Sequence, residues 1–338
     1  MTIPSSVGPP PTWRVSSGTA AVLGLREMRM DIAPTTAYLM LGERCSRNCA
    51  FCSQARESHA SAAALSRVIW PQFGIDDIVR GIASAEARGA IGRICLQVTA
   101  SPGYVELTRE ALAILSPHTR LPICACACAR NMDDIELLLD AGASRVTVAL
   151  DAATLDLFRA IKGSPPDRTL GLLRDAAHNH PGQIGTHLIV GLGETERDMV
   201  ERIDTLLGWG VAVGLFAFTP VRGTAMEGHR PPDLARYRRI QAAFWLLRHN
   251  LAKAAEYEYD GVGRIASLGL TGEKLAEAVQ GGAAFRTSGC DSCNRPYYNE
   301  RPGGVIYNYA RPLTPEEARQ EIDALMASLP GPRQDASR

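Results

Sequence analysis

The central part of the chain alternates between short apolar segments and longer amphipathic segments. The apolar segments are rich in β-branched residues, which is typical of buried strands, and the amphipathic segments repeat their apolar positions at helical spacing. This alternation predicts parallel strands joined by crossover helices. Strands are predicted at residues 37–41, 93–98, 121–126, 145–150, 184–190, 212–218 and 256–260, with an eighth candidate at 283–286.

Helices are predicted between these strands and at the end of the chain. Thr314 precedes the last helix, with Glu316 and Glu317 in its first turn, which is a helix-start signal. Seven or eight strand–helix units predict an α/β fold, a (β/α) barrel that is whole or partial. The predicted helices span residues 75–88, 132–141, 196–209, 234–253 and 315–327.

The sequence divides into one barrel, a C-terminal extension and two tails. We predict the barrel at residues 15–282 and an extension at 283–328 that carries two cysteines and the last helix. The proline-rich start, residues 1–14, and the end, residues 329–338, are expected to be disordered.

Composition excludes several classes of partner. Basic and acidic residues balance at 36 each, so no global field would hold nucleic acid or an anionic membrane. No apolar run reaches the length of a bilayer span, and the first residues do not have the pattern of a secretion signal. We therefore expect a soluble cytoplasmic protein. In a reducing compartment, its nine cysteines are expected to be metal ligands or catalytic groups rather than disulfides.

Three of those cysteines, Cys45, Cys49 and Cys52, directly follow the first predicted strand. A four-iron cluster that only carries electrons uses four thiolates, so three would leave one iron open to a ligand from outside the protein. The spacing also differs from that of bacterial ferredoxins and of paired zinc-binding CxxC arms. Structural zinc is the alternative, but the next histidine, His59, lies seven residues past Cys52.

The segment at residues 44–52 resembles the cluster loop of the radical S-adenosylmethionine (SAM) enzymes. The resemblance implies a 4Fe–4S cluster whose open iron binds the amino and carboxylate groups of SAM. It also implies that Phe51, just before the last cysteine, lies beside the adenine. The position of the loop after the first strand fits a barrel, in which chemistry collects at the carboxyl ends of the strands.

A second segment, at residues 187–195, resembles the GxIxGxxE motif of the same superfamily. The resemblance implies that Ile189 and Gly191 lie near the adenine and that Glu194 caps the next helix. His187 replaces the first glycine of the motif. The alternative is an ordinary turn from strand to helix.

Two further positions look like the biotin synthase branch of that superfamily. Asp151 closes the fourth predicted strand, where the branch uses an acid to contact the SAM ribose. The alternative, which is compatible with it, is that Asp151 is the N-cap of a helix beginning at Ala152. Arg222 lies in a segment, residues 218–224, that resembles the part of the branch lying over SAM.

The third predicted strand carries a ladder of cysteines. Cys124, Cys126 and Cys128 alternate with other residues, so all three side chains should lie on one face. Cys124 and Cys95 align with ligands of the auxiliary cluster of biotin synthases, although Cys95 could equally be a buried apolar residue. The third ligand position is Gly185, so biotin synthase itself is disfavoured.

Cys290 and Cys293 offer replacement ligands. A CxxC pair after the last barrel strand could supply two thiolates to a second cluster, with a ladder cysteine as a third. A redox dithiol and half of a zinc site are the alternatives. The sequence does not decide which of Cys124, Cys126 and Cys128 would join the pair.

Taken together, these motifs and the stretch at residues 65–71 look most like one subunit of the two-component lipoyl synthases. The resemblance implies sulfur insertion into an octanoyl chain on a lysine of a carrier protein, with sulfur taken from the auxiliary cluster. It also implies a paralogous second subunit and an electron donor such as ferredoxin or flavodoxin. A single-chain lipoyl synthase would carry three more cysteines before the cluster loop, and none precedes Cys45 here.

Two other classes stay open. One is a radical SAM mutase, lyase or maturation enzyme resembling methylornithine synthase or the hydrogenase-maturation branch, without sulfur transfer. The other is an iron–sulfur scaffold or electron carrier, which an open iron site disfavours because it invites ligand chemistry.

Overall fold

One large sheet forms the centre of the computed structural model, which describes residues 11–163, 165–300 and 303–330. Within these residues the sheet has eight strands in the order β10-β9-β8-β7-β6-β2-β1-β5, and two small hairpins lie outside it. The six strands from β10 to β2 are parallel, whereas β1 is antiparallel to both of its neighbours. The strands are β1 (Thr12–Val15), β2 (Thr36–Leu41), β3 (Ala64–Leu65), β4 (Val68–Ile69), β5 (Gln72–Gly74), β6 (Arg93–Val98), β7 (Ile123–Cys126), β8 (Arg145–Thr147), β9 (Ile184–Val190), β10 (Ala212–Ala217), β11 (Glu258–Tyr259) and β12 (Ile265–Ser267).

Helices connect the parallel strands and bury their apolar stripes. In the helix that follows β9, Met199, Ile203 and Leu206 are buried at helical spacing. Among the described residues, no helix is both long and apolar enough to span a membrane. The helices are α1 (Ser17–Val22), α2 (Ile75–Ala87), α3 (Tyr104–Leu115), α4 (Met132–Asp140), α5 (Leu155–Lys162), α6 (Pro166–Asn179), α7 (Glu196–Gly208), α8 (Leu234–Arg248), α9 (Gly272–Ala278) and α10 (Pro315–Ser328).

The first six predicted strands are confirmed, and the last two predictions are wrong. Of residues 256–260, only Glu258–Tyr259 is extended, and it pairs with β12 in a hairpin outside the main sheet. Residues 283–286 fall largely in a 3₁₀ helix, Gln280–Phe285, where Gly281 and Gly282 adopt left-handed φ angles of 74° and 73°. Because residues 283–285 are helical, they add no further parallel strand to the sheet of the described chain, and the barrel is partial.

The tail predictions fall largely on residues 1–10 and 331–338, which lie outside the described part of the chain. For residues 12–14 the prediction of disorder is wrong, because Thr12–Val15 forms β1 and pairs with both β2 and β5. Trp13 is buried in this strand. Its apolar ring adds buried surface that offsets the entropy of ordering a short strand.

An irregular segment at residues 288–299, here called the closing segment, connects the two sides of the partial barrel. On the β10 side, the Leu215 N–H donates to Ser288 Oγ at 2.9 Å, and Asn299 Nδ2 donates to Ala217 O at 2.8 Å. On the β2 side, the Arg295 N–H donates to the Tyr38 hydroxyl at 3.1 Å. Residues 288–299 of the predicted C-terminal extension therefore contact both sides of the sheet.

The parallel strands give the lumen two distinct ends. The segment with Cys45, Cys49 and Cys52 follows the carboxyl end of β2, as predicted. In contrast, the CxxC turn of the closing segment lies at the amino ends of the strands. There Thr36 Oγ1, at the start of β2, donates to Ser292 O at 2.7 Å.

Candidate functional site

The lumen contains a cavity of about 190 Å³ that reaches from one cysteine set to the other. Phe51 and Cys52 line it near the carboxyl ends of the strands. Cys290 and Cys293 line it at the opposite end. Two segments far apart in the sequence thus face a single chamber.

The cluster loop, residues 42–60, is held in shape by one arginine. The Arg44 guanidinium donates to the carbonyl oxygens of Ala55 at 3.0 Å, Ser58 at 2.7 Å and Ala60 at 2.9 Å. These bonds gather the loop around a single planar group, because a guanidinium offers five donors in a fixed fork. The three cysteines are therefore presented on an ordered turn.

The thiols of that turn need a positively charged partner. Burial raises the pKa of Cys49 to about 11 and that of Cys52 to about 12, so neither thiol would ionise alone at neutral pH. In the described residues, no three thiol, imidazole or carboxylate groups are arranged to hold one metal ion. A 4Fe–4S cluster fits better than zinc, because its thiolates bind separate irons and stand farther apart.

Asp151 lies at the lumen in an ion pair with Lys162. Asp151 lines the cavity with φ at 68°, and its Oδ2 accepts from Lys162 Nζ at 2.6 Å. Burial lowers the pKa of Lys162, but the Asp151 carboxylate outweighs it and raises the pKa overall. The alternative role as an N-cap is wrong, because α5 begins at Leu155 and Thr154 caps it. Sequence reasoning missed Lys162.

The segment after β9 is a tight turn, and only part of it faces the cavity. Ile189 lines the cavity. A Cβ at Gly191, where φ is 101°, would lie 2.8 Å from Pro232 Cδ, so this position requires glycine. The Glu194 carboxylate turns back and accepts the N–H groups of Gly191 at 2.7 Å and Leu192 at 2.9 Å.

Glu194 does not cap the following helix, contrary to the prediction. Thr195 is the N-cap of α7, and Asp198 completes a capping box with it. Glu194 instead pairs with Arg236 at 2.7 Å, with its side chain fully buried. Burial raises its pKa. Its role in the structure is to fix the turn that carries Gly191.

Arg222 is exposed, and the residues that line the central cavity in the described chain do not include it. Its neighbour Gly223 touches the cluster loop, because Gly223 O accepts the His59 N–H at 2.8 Å. Phe218 and Thr219, at the end of the same strand, do line the cavity. This part of the chain therefore reaches the chamber through residues other than the one predicted.

At the other end of the lumen, Cys124 lies between two other thiols. Cys95 and Cys290 are both close enough to shift its pKa. The hydrogen bond with Cys290 lowers the pKa of Cys124, but the hydrogen bond with Cys95 and burial outweigh it and raise the pKa to about 12. The structure therefore brings the first ladder cysteine to the CxxC pair.

The other two ladder cysteines lie elsewhere along the lumen. Cys126 lines the middle of the cavity, and burial raises its pKa. Cys128 is close enough to Cys45 and Cys49 to interact with them electrostatically. The ladder therefore runs from one end of the chamber to the other, and only Cys124 is beside the CxxC pair.

Each thiol of the set Cys95, Cys124, Cys290 and Cys293, here called the quartet, has a polar side-chain partner. These partners come from several strands and from the closing segment, and hydrogen bonds to sulfur favour the thiolate form. They are Gln97 on Cys95 (3.0 Å), Thr147 on Cys124 (3.3 Å), and Tyr38 and Arg295 on Cys293 (both 3.5 Å). Cys290 lies near the Arg145 guanidinium, whose charge opposes the rise in the pKa of Cys290 that Cys124 and burial cause.

Gly185 lies on the wall beside the quartet. A Cβ there would come within 3.0 Å of Thr147 Oγ1 and 3.3 Å of Arg145 Cδ. A cysteine at this position would therefore displace two partners of the quartet.

His187, the residue that departs from the glycine motif, is a half-buried, neutral imidazole. It lines the cavity and packs edge-on against Phe216, with ring centroids 5.0 Å apart. Burial lowers its pKa to about 4, so it carries no charge at neutral pH. It adds a polar group to the middle of the chamber without adding charge.

Comparisons with known proteins agree with this architecture. A biotin synthase from Chlorobium limicola is 29% identical over 203 residues, covering 56% of this chain and 57% of that protein. A lipoyl synthase from Bacillus subtilis is 23% identical over 214 residues, covering 59% of this chain and 66% of that protein. The chain thus spans roughly three fifths of the length of these curated relatives.

Solved structures share the fold at low sequence identity. Methylornithine synthase (PylB) superposes with a TM-score of 0.51 at 15% identity, covering 94% of this chain and 87% of that one. The FeFe-hydrogenase maturase HydG from Carboxydothermus hydrogenoformans gives 0.50 at 16% identity, covering 64% and 51%. Residues 39–206 match the radical SAM superfamily. These residues form a radical SAM domain, and the chain belongs to the radical SAM superfamily, consistent with its biotin-synthase-like branch.

Proposed function

We propose that this radical SAM enzyme inserts sulfur into an octanoyl chain carried on a lysine of a carrier protein, as a lipoyl synthase component. One observation carries the proposal. The quartet lies at one end of the lumen, the triplet Cys45, Cys49 and Cys52 lies at the other, and one cavity joins them. A substrate carbon in that cavity would have a radical source on one side and a sulfur source on the other.

The residues present fit two different cluster sites. The triplet leaves one ligand position open, which suits a 4Fe–4S cluster that binds SAM. The quartet offers four thiols, which suits an auxiliary cluster held entirely by protein. When bound, these groups and SAM would supply the 5′-deoxyadenosyl radical and the sulfur.

The chain itself would position the substrate and exclude water. Tyr38 and Trp70 form an apolar cluster with Met40, and Leu65 and Val68 pack against it. Four of these five side chains line the cavity, all except Met40. An unbranched alkyl chain would be held there by apolar contact alone, and a closed lumen keeps a reactive radical from solvent.

The proposed activity would need three partners. An octanoylated carrier protein would present the substrate, a paralogous second subunit would perform the other insertion, and ferredoxin or flavodoxin would supply electrons. These follow from the resemblance to two-component lipoyl synthases and from the low-identity likeness to lipoyl synthases.

Iron and sulfide counts on anaerobically reconstituted protein test the two-cluster premise. We expect about eight irons per chain from two four-iron clusters. Replacing Cys290 and Cys293 with alanine should remove about half of them. Cys126→Ser is the matched control, because it removes a lumen thiol outside the quartet and should leave the count unchanged. A count of four in the unmodified protein, or eight in the double variant, would contradict sulfur insertion from a second cluster.

A turnover assay separates sulfur insertion from the alternative, a radical SAM mutase, lyase or maturation enzyme without sulfur transfer. The protein is incubated with SAM, a reductant and an octanoylated carrier domain, with and without the second subunit. We expect 5′-deoxyadenosine together with a mass gain of sulfur on the carrier. Formation of 5′-deoxyadenosine without that mass gain would favour a radical SAM mutase, lyase or maturation enzyme.

A further inference from the structure

Trp70 is a buried side chain whose polar atom has no partner. It follows the small β3–β4 hairpin, and its backbone N–H donates to Ala63 O at 2.6 Å. The side chain is only 2% exposed, yet its indole N–H has no hydrogen-bond partner within the described part of the chain. Buried donors are normally paired, so an unpaired one indicates an acceptor that the protein itself does not supply.

The indole lies at the quartet end of the chamber. Trp70 lines the central cavity and forms an apolar cluster with Tyr38 and Met40, separate from the main core. Cys95 and Cys293 pack against this cluster. The ring is therefore in contact with the part of the wall where two of the quartet thiols lie.

The missing acceptor is not one of the quartet thiols in their present arrangement. Cys95 already accepts from Gln97, and Cys293 is approached by Tyr38 and Arg295. An alkyl chain has no acceptor along its methylene groups. Of the groups proposed to enter this chamber, inorganic sulfide accepts hydrogen bonds and is the one that would lie among the quartet, beside the ring.

We propose that the Trp70 indole N–H donates a hydrogen bond to a sulfide of an auxiliary cluster held by the quartet, making Trp70 a positioning residue for that cluster. The inference rests on the proposed function, because it requires the second cluster. Hydrogen bonds to cluster sulfur withdraw electron density and raise the reduction potential. The bond would also hold one cluster edge against the apolar wall.

The test uses a protein in which only the auxiliary cluster can form. Cys45, Cys49 and Cys52 are replaced with alanine, and the midpoint potential is measured by electron paramagnetic resonance during a redox titration. In this background, Trp70→Phe keeps an aromatic ring and removes the N–H. We expect unchanged iron content and a midpoint potential shifted to a lower value.

Trp245→Phe is the matched control. Trp245 donates its indole N–H to Ala278 O at 2.9 Å, and its side chain is not among the residues that line the central cavity in the described chain. This variant makes the same chemical change and should not move the potential. An unchanged potential in Trp70→Phe, or an equal shift in both variants, would overturn the inference.

Two further outcomes separate the inference from its premise. If the background protein holds no iron, the second cluster and the proposed function fail together. If Trp70→Phe leaves the potential unchanged in this background but raises KM for the octanoylated carrier in a protein that keeps Cys45, Cys49 and Cys52, the N–H binds substrate and only the inference fails.

Unmodified protein labelled with ¹⁵N in the tryptophan indole gives a measurement that needs no Trp70 variant. We expect hyperfine coupling between one indole nitrogen and the reduced auxiliary cluster. Absence of any coupling would contradict the hydrogen bond even if Trp70→Phe fails to fold.

Discussion

The ion pair between Lys162 and Asp151 provides a sharp test of how the chamber is built. The Nζ–Oδ2 distance is 2.6 Å, and the two side chains are 5% and 10% exposed. At an effective dielectric constant of 20, two unit charges at this distance attract by about 6 kcal/mol. Desolvation of each ion costs several kcal/mol, so the pair as a whole adds little net stability.

Removing only Lys162 should lower stability strongly, because the Asp151 carboxylate then stays buried without a positively charged partner. Lys162→Met keeps an apolar stem of similar length and leaves the Asp151 carboxylate unpaired. We expect the free energy of unfolding to fall by about 3–5 kcal/mol. Adding Asp151→Asn in the same protein removes that stranded charge and should recover at least about 2 kcal/mol of the loss.

Urea unfolding of the iron-free, reduced chain, followed by circular dichroism, measures both variants against the unmodified protein. The two single variants and the double variant form a cycle that isolates the coupling energy. A loss below about 1 kcal/mol in Lys162→Met would refute the reasoning, because a buried Asp151 carboxylate without its partner should lower the free energy of unfolding by more than that. Equal stability of Lys162→Met and the double variant would refute it as well.

Three further predictions follow from single contacts. Glu194→Gln keeps the shape of the turn but removes a charged acceptor of two backbone N–H groups, so the free energy of unfolding should fall by about 2–3 kcal/mol in urea titrations. Gly92→Ala places a Cβ about 2.6 Å from Ser292 Oγ, so it should displace the CxxC turn and lower the iron count per chain. Gly208→Ala is the control, because a Cβ there would meet no atom within 4 Å and should leave the iron count unchanged. The folded pKa of His187, about 4, lies below the unfolded value, so protons bind the unfolded chain preferentially and stability falls with pH below about 6.5. Compared with His187→Gln, the unmodified chain should lose about 1 kcal/mol more between about pH 6.5 and about pH 5.5.

The parts of the fold that follow from periodicity were predictable. The segment 184–190 coincides with β9, and the first six strands were all located, because continuous apolar runs are typical of buried parallel strands. The last two strands were not predictable in this way. Short apolar runs such as 283–286 are ambiguous, and here most of the run lies in the 3₁₀ helix Gln280–Phe285.

The chemistry near each cysteine was only partly visible in the sequence. The spacing of Cys45, Cys49 and Cys52 was enough to predict a three-thiolate site, because one turn presents all three. Lys162 carries no such signal, since it meets Asp151 only after α5 folds back onto the barrel. The partners of the quartet come from separate strands and the closing segment, so their convergence depends on the tertiary fold rather than on any motif.

The closing segment both completes the wall of the partial barrel and carries the CxxC pair. β10 is the edge strand at one end of the sheet, so its outer backbone groups have no neighbouring strand. The closing segment supplies partners there through Ser288 and Asn299, and it contacts β2 through the bond from the Arg295 N–H to the Tyr38 hydroxyl. Cys290 and Cys293 lie on this same segment. Any group that binds these thiols would therefore also stabilise the wall, because ligands that bind only the folded state stabilise it.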